Sequence, residues 1–197
     1  MRRFVDRGAI TAAWVGVGMA VTIAVSFLLV IPIEALYVGF IAPGFPIGWF
    51  SGLTIGYYAN TRSGRAGGPW GRILANGALA GFATGLTFAI LLLAVKGLFF
   101  AVDNGYRDPL AGGPITCQPG AECVYLRYLD AQPETLEAAG ITDVDSFSTF
   151  FWGQQLSLAA GLGISTVVTG IAGAAVFRLS NGRRPEDQPV PPAAVAG

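Results

Sequence analysis

Gly44, Gly48, Gly52 and Gly56 stand at every fourth position of one apolar stretch, and Gly77, Gly81 and Gly85 repeat the spacing in the next. A third apolar stretch carries Ser157, Gly161, Ser165, Thr169 and Gly173 in the same register. On an α-helix, positions four apart are neighbours, so a row without bulk is a groove in which another backbone can lie. Hydrophobic collapse does not draw helices together in lipid, and close packing of this kind takes its place. The spacing therefore predicts a bundle of membrane-spanning helices packed backbone to backbone.

Composition points to the same solvent. Apolar residues make up 53% of the chain and charged residues 12%, against about 25% charged in soluble domains. Mean hydropathy is +0.57. Glycine, at 28 of 197 residues, far exceeds its ordinary share of about 7%. Long Leu, Ile, Val and Phe runs separate the chain from glycine-rich disordered segments. The formal charge is zero, so overall charge points to no nucleic acid or other charged partner. The chain contains no histidine. That removes the commonest metal ligand and acid–base group, and with it histidine-ligated haem, iron or zinc and any Ser-His-Asp or Cys-His pair. No catalytic, cofactor-binding or metal-binding residue is expected, and no cofactor.

Four runs are long enough to cross about 30 Å of hydrocarbon: Ile10 to Ile31, Leu36 to Tyr58, Ile73 to Phe99 and Phe151 to Phe177. The first exceeds a signal-peptide core and is read as a retained span. Three basic segments (Arg2, Arg3 and Arg7; Arg62, Arg65 and Arg72; Arg178, Arg183 and Arg184) fall on one side of a four-span chain. The acids Glu34, Asp103, Asp108, Glu122, Asp130, Glu134, Glu137, Asp143 and Asp145 fall on the other. Positive charge marks the cytoplasmic side. The expectation is an all-α, four-transmembrane-helix bundle in the cell membrane, with both termini cytoplasmic and loop 102–148 outside. Residues 1–101 hold three spans, 102–148 form an extracytoplasmic cap, 149–179 hold the fourth span, and 180–197 form a disordered tail rich in proline.

The outer segment holds the only cysteines, Cys117 and Cys123. An oxidising exterior favours a disulfide between them, worth about 2 kcal/mol for so short a loop on the chain-entropy model. A redox dithiol usually has C-x-x-C spacing, and a zinc site needs further ligands; both readings are weaker here. Pro133 to Gly140 reads as a short helix, with proline in its first turn and glycine after its end. Asp143 or Asp145 is placed to cap a helix entering span four.

Inside the spans, Lys96 is the one ionisable candidate. Its distance from Asn76, about 30 Å along the helix, sets it at the outer boundary, where it snorkels to the headgroups and can pair with Glu34. Thr22, Ser26, Ser51, Thr54, Asn76, Thr84, Thr87, Gln154, Gln155, Ser157, Ser165, Thr166 and Thr169 are uncharged polar groups suited to interhelical hydrogen bonds. Gln154 and Gln155 belong at the outer boundary. Pro43-Gly44-Phe45-Pro46 interrupts span two and is expected to kink it. The short turn between spans two and three lets their glycine grooves face each other. Gly44, Gly48, Gly52, Gly56, Gly77, Gly81, Gly85, Gly161 and Gly173 are the expected packing positions.

The absence of clustered nucleophiles, acids or ligands at one depth argues against an enzyme. The expected role is a noncatalytic accessory, assembly or scaffold subunit whose partners are the lipid bilayer and other membrane subunits, or further copies of itself. An oligomeric channel or transporter for a small or neutral solute is the alternative, distinguished by a continuous polar path.

Overall fold

The computed structural model describes residues 5–30, 44–64, 68–102 and 117–181. Six helices account for the regular structure there: α1 (Arg7–Val30), α2 (Gly44–Ser63), α3 (Trp70–Val102), α4 (Ala121–Ala131), α5 (Pro133–Ala138) and α6 (Val144–Asn181). The Arg7–Ser26 part of α1, the Trp70–Leu98 part of α3 and the whole of α6 are long and apolar enough to cross a membrane. α2 is not among them. Its glycines add little hydropathy, and it closes on Tyr57-Tyr58-Ala59-Asn60-Thr61-Arg62-Ser63. Pro46 falls in the first turn of α2, where the missing N–H has no intrahelical partner to lose. The kink expected there from sequence turns on residues before Gly44, which lie outside the described residues. Pro43 lies outside the described residues.

α1, α2, α3 and α6 pack against one another. α1 and α3 run parallel: Asp6 bonds Asn76 at one end, and Gly16 lies against Thr84 farther along. α2 runs against both, with Ser63 beside Gly8 and Ile55 beside Gly16. α6 is antiparallel to α3, since Gly77 meets Gly170 and Gly85 meets Gly163. It is parallel to α2, since Gly48 meets Leu162 and Tyr57 stacks edge-on to Phe177. The alternating directions give an up-down-up-down order.

Size is distributed in the reverse of a water-soluble core. Much of the buried surface belongs to Ala9, Ala12, Ala20, Ala59, Ala80, Ala159 and Ala174 and to glycine. Large apolar side chains point outward, with Trp14 73%, Phe50 72% and Ile164 65% exposed. Such a surface is consistent with a membrane protein, whose outward side chains meet lipid tails.

The glycine rows of α2 and α3 do not face each other. Both face α6. A side-chain carbon at Gly52 would meet Thr169 and the Thr166 carbonyl, and one at Gly56 would meet the Gly170 carbonyl. A carbon at Gly81 would stand 2.9 Å from the Thr166 oxygen, and one at Gly85 2.7 Å from the Gly163 oxygen. α6 therefore lies in the cleft between α2 and α3. Its inner line runs Gly163, Thr166, Gly170, Gly173 and Phe177, with Ala174 beside it. This line alternates steps of three and four, which keeps one face toward its neighbours. A strict step of four drifts by about 40° each time. Of the row expected from sequence, Ser157 accordingly ends up exposed, Gly161 half-buried and Gly173 buried.

The cap sits at the other end. The Cys117–Cys123 disulfide is formed, with Cα atoms 5.5 Å apart, and ties the chain to the first turn of α4. α5 begins with Pro133 and ends at Ala138, two residues before Gly140, whose φ of 68° suits glycine. There Ile141 N–H bonds the Leu136 carbonyl at 2.9 Å and Gly140 N–H bonds that of Glu137 at 3.0 Å, closing the helix. Leu136, Phe147 and Phe151 form the cap core, with Phe100, Tyr125, Tyr128 and Trp152 around them. α6 runs unbroken from this core into the bundle, across the 148/149 boundary drawn from sequence. At 38 residues it is about 57 Å long, so its first turns belong to the cap.

Asp143 is the cap residue of α6. Its Oδ1 accepts the Ser146 N–H at 2.8 Å, and Ser146 Oγ donates back to the Asp143 carbonyl at 2.9 Å. The Ser146 backbone bond holds the Asp143 carboxyl below the ordinary aspartate value of 3.8. With the folded value depressed, the cap contributes fully above the ordinary value and is lost as pH falls through the depressed one. Asp143→Ala is expected to speed hydrogen exchange at the Ser146 amide at neutral pH, and the unaltered chain to do so only in acid. Equal protection in both would count against the cap.

Gly56→Ala is expected to destabilise the bundle by about 1–3 kcal/mol, because its new carbon meets backbone that cannot rotate away. Gly18 has nothing within 4 Å, so Gly18→Ala is expected to be neutral or stabilising. Thermal unfolding in a mild detergent separates the two; equal shifts would contradict the packing.

Candidate functional site

The most developed polar constellation lies where α1 starts, α2 ends and α3 starts. Asn60 and Asn76 are both fully buried there, at 0% exposure. The Asn76 side chain is the hub. Its Nδ2 donates to Asp6 Oδ2 at 3.0 Å and to Asn60 Oδ1 at 3.2 Å, while its Oδ1 accepts the Asp6 N–H at 3.1 Å. Ser63 Oγ lies 3.5 Å from the same Nδ2. Asn60 Nδ2 donates to the Gly56 and Ile73 carbonyls at 3.2 and 3.1 Å. These bonds join three helix ends that share little apolar bulk.

The local sequence explains the arrangement. Asp6 precedes α1, and its carbonyl takes the Ala9 N–H at 3.1 Å. Ser63 bonds back to Ala59 at 2.7 Å in the last turn of α2. Gly8 gives α1 its close approach, since a carbon there would stand 2.5 Å from the Ser63 nitrogen. Buried amides are stable only when each donor and acceptor is met, and the Asn76 amide is met at both its oxygen and its nitrogen. The network is a clamp with every described bond made inside the protein.

Asp6 and Asn60 were not among the sequence candidates. Asn60 was missed because span two was ended at Tyr58, which put it in a loop; α2 continues to Ser63. A signal was present. Two asparagines flank a short turn, and an amide at a helix end next to an apolar run needs a partner.

The other polar groups inside the bundle do not converge. Thr84, Thr87, Thr166 and Thr169 donate to carbonyls one turn earlier on their own helices, at 2.7 to 2.8 Å. Ser157 does the same at 2.9 Å. Interhelical bonds were expected from these hydroxyls, but their own carbonyls are nearer and satisfy them. Gln154 and Gln155 differ: Gln154 is exposed, while Gln155 is 4% exposed. The Gln155 Oε1 accepts no hydrogen bond among the described residues. Lys96 is half-buried beside Gly97, which faces Trp152. Glu34, its expected partner, lies outside the described residues.

One open depression of about 600 Å³ is lined by Phe150, Gly153, Gln154, Ser157 and Leu158. All five belong to α6, so it is a helix face and not an enclosed site. Among the described residues no three His, Cys, Asp or Glu side chains come together.

Asn76→Ala is expected to leave the buried Asn60 Oδ1 without its Asn76 donor, at a cost of about 1–3 kcal/mol. Asn60→Ala and Asn76→Ala together are expected to cost less than the sum of the two, since they share bonds. Strict additivity in thermal unfolding would contradict a connected clamp.

Comparison with protein-family models, with curated proteins and with solved structures returns no match.

Proposed function

We propose that this chain is a noncatalytic, four-span membrane protein that acts as an accessory, assembly or scaffold subunit. The observation that carries this reading is the filling of the bundle by backbone. Gly52, Gly56, Gly77 and Gly81 leave no space for a side chain against α6. An interior closed in this way serves as a rigid packing unit, and glycine rows of this kind are glycine zippers in function.

The helix directions support α2 as a fourth span. α1 and α3 run the same way, so a chain that crosses with both must return between them, and α2 runs in the return direction. Lipid-exposed irregular backbone is not tolerated at membrane depth, which favours a helix for that stroke. The positive-inside rule places the arginine-bearing helix ends and both termini in the cytoplasm, with the cap outside. Burial of α2 against α1 and α6 offsets its modest hydropathy.

A channel or transporter would need its polar path between copies, because the threonine hydroxyls of the bundle bond their own helices. Extraction in a gentle detergent, followed by mass measurement of the intact assembly, tests the role. A stoichiometric foreign membrane subunit is the expected result. A closed ring of this chain alone would contradict the accessory reading and favour a pore.

A further inference from the structure

Asn76, the hub of the clamp, is followed by Gly77. Asparagine is chemically labile, and a following glycine has no side chain to shield its backbone nitrogen. In an unstructured chain that nitrogen attacks the asparagine Cγ, the side-chain nitrogen leaves as ammonia, and a succinimide ring forms. Water then opens the ring to aspartate or isoaspartate. Two structural demands place this pair in α3. The clamp uses the amide of Asn76, which bonds Asp6 and Asn60. The packing uses the bare backbone of Gly77, where a carbon would stand 2.5 Å from the Gly170 oxygen and 2.6 Å from Ala174 Cβ. Neither residue can be exchanged for a less reactive one without loss of its contact.

We infer that Asn76–Gly77 is a latent deamidation site guarded by the clamp, so that opening of the clamp becomes permanent. While the clamp is closed, Gly77 lies inside α3 and its N–H is committed to the carbonyl of Ile73, four residues back. Asn60 Nδ2 donates to the same carbonyl at 3.1 Å and holds that turn in place. The Asn76 amide is pinned at its oxygen by the Asp6 N–H and at its nitrogen by Asp6 and Asn60, with the residue at 0% exposure. The attacking nitrogen and the Cγ therefore cannot close the ring, and water does not reach it. When α1 and α2 release Asn76, both restraints go together. The aspartate that results carries an oxygen where Nδ2 had stood 3.0 Å from Asp6 Oδ2. Two carboxylates at that distance repel, and Asn60 Oδ1 loses its donor. Isoaspartate also adds a carbon to the backbone, which breaks the helical ladder.

The test incubates the full chain in a mild detergent at mildly alkaline pH and follows each asparagine by mass spectrometry of its peptides. Asn181, the last residue of α6 and also followed by glycine, is the internal reference outside the clamp. In the folded chain Asn76 is expected to stay unconverted, and in denaturant to convert as fast as Asn181. Asn60→Ala removes a partner of Asn76 and is expected to raise its conversion several-fold in the folded chain, with Asn181 unchanged. Gly52→Ala disturbs the contact of α2 with Thr166 and Thr169, away from the clamp, and is expected to leave Asn76 protected. Fast conversion of Asn76 in the unaltered folded chain, no rise in Asn60→Ala, or an equal rise in Gly52→Ala would each overturn the inference. If Asn60→Ala does not fold, Asp6→Ala opens the clamp from α1 and is expected to raise conversion at Asn76; no rise overturns the inference. Asn76→Asp, made directly, is expected to unfold several degrees below the unaltered chain, and equal stability would contradict permanent opening.

Discussion

Backbone-to-backbone approach of α6 to α2 and α3 is the interaction on which the rest of the fold depends. Gly170 is its centre: a carbon there would stand 2.8 Å from the Gly77 oxygen and 3.0 Å from the Gly81 Cα. Gly56 approaches the same residue from α2. Three helices thus converge on one glycine. Dispersion between atoms in contact is small for each pair and large when summed along whole helices. It requires that nothing stand between the backbones, which is what the glycines provide.

Around that centre, other interactions fix what close packing leaves free. Backbones in contact along a smooth groove can slide, and polar bonds with defined partners prevent it. The Asp6–Asn76–Asn60 clamp sets the register of α1, α2 and α3 at one end. The stacked rings of Phe100 and Phe151, 4.9 Å apart, join α3 to α6 at the other. α1 takes its place through a smaller surface, where Ala9 and Ala12 pack against Ile55, Ala59 and Ala80. The cap grows from the same α6 helix, so the aromatic cluster and disulfide are held on a rigid stalk.

Much of this was legible in the sequence because the physics is local. Hydropathy marked α1, α3 and α6, and the turn chemistry of Pro133, Gly140 and Asp143 marked the cap helices. The Cys117–Cys123 pair followed from spacing and compartment. Partner choice was less legible. A row such as Gly77, Gly81 and Gly85 states that something comes close without stating which helix does, and the adjacent α2 was the wrong choice. The step of four was also too strict for α6, where Thr166 and Gly170 matter and Ser157 does not. Asn60 was hidden by one turn of helix beyond the apolar run. Hydroxyl partners were misjudged because a carbonyl on the same helix always competes with one across an interface.

The most direct measurement is solid-state NMR on the full chain in lipid bilayers, with glycine carbons labelled. The account predicts a through-space correlation between the α-carbons of Gly170 and Gly81, with both glycines shielded from lipid. Correlations from Gly77 and Gly81 to acyl-chain protons, with none to Gly170, would contradict it.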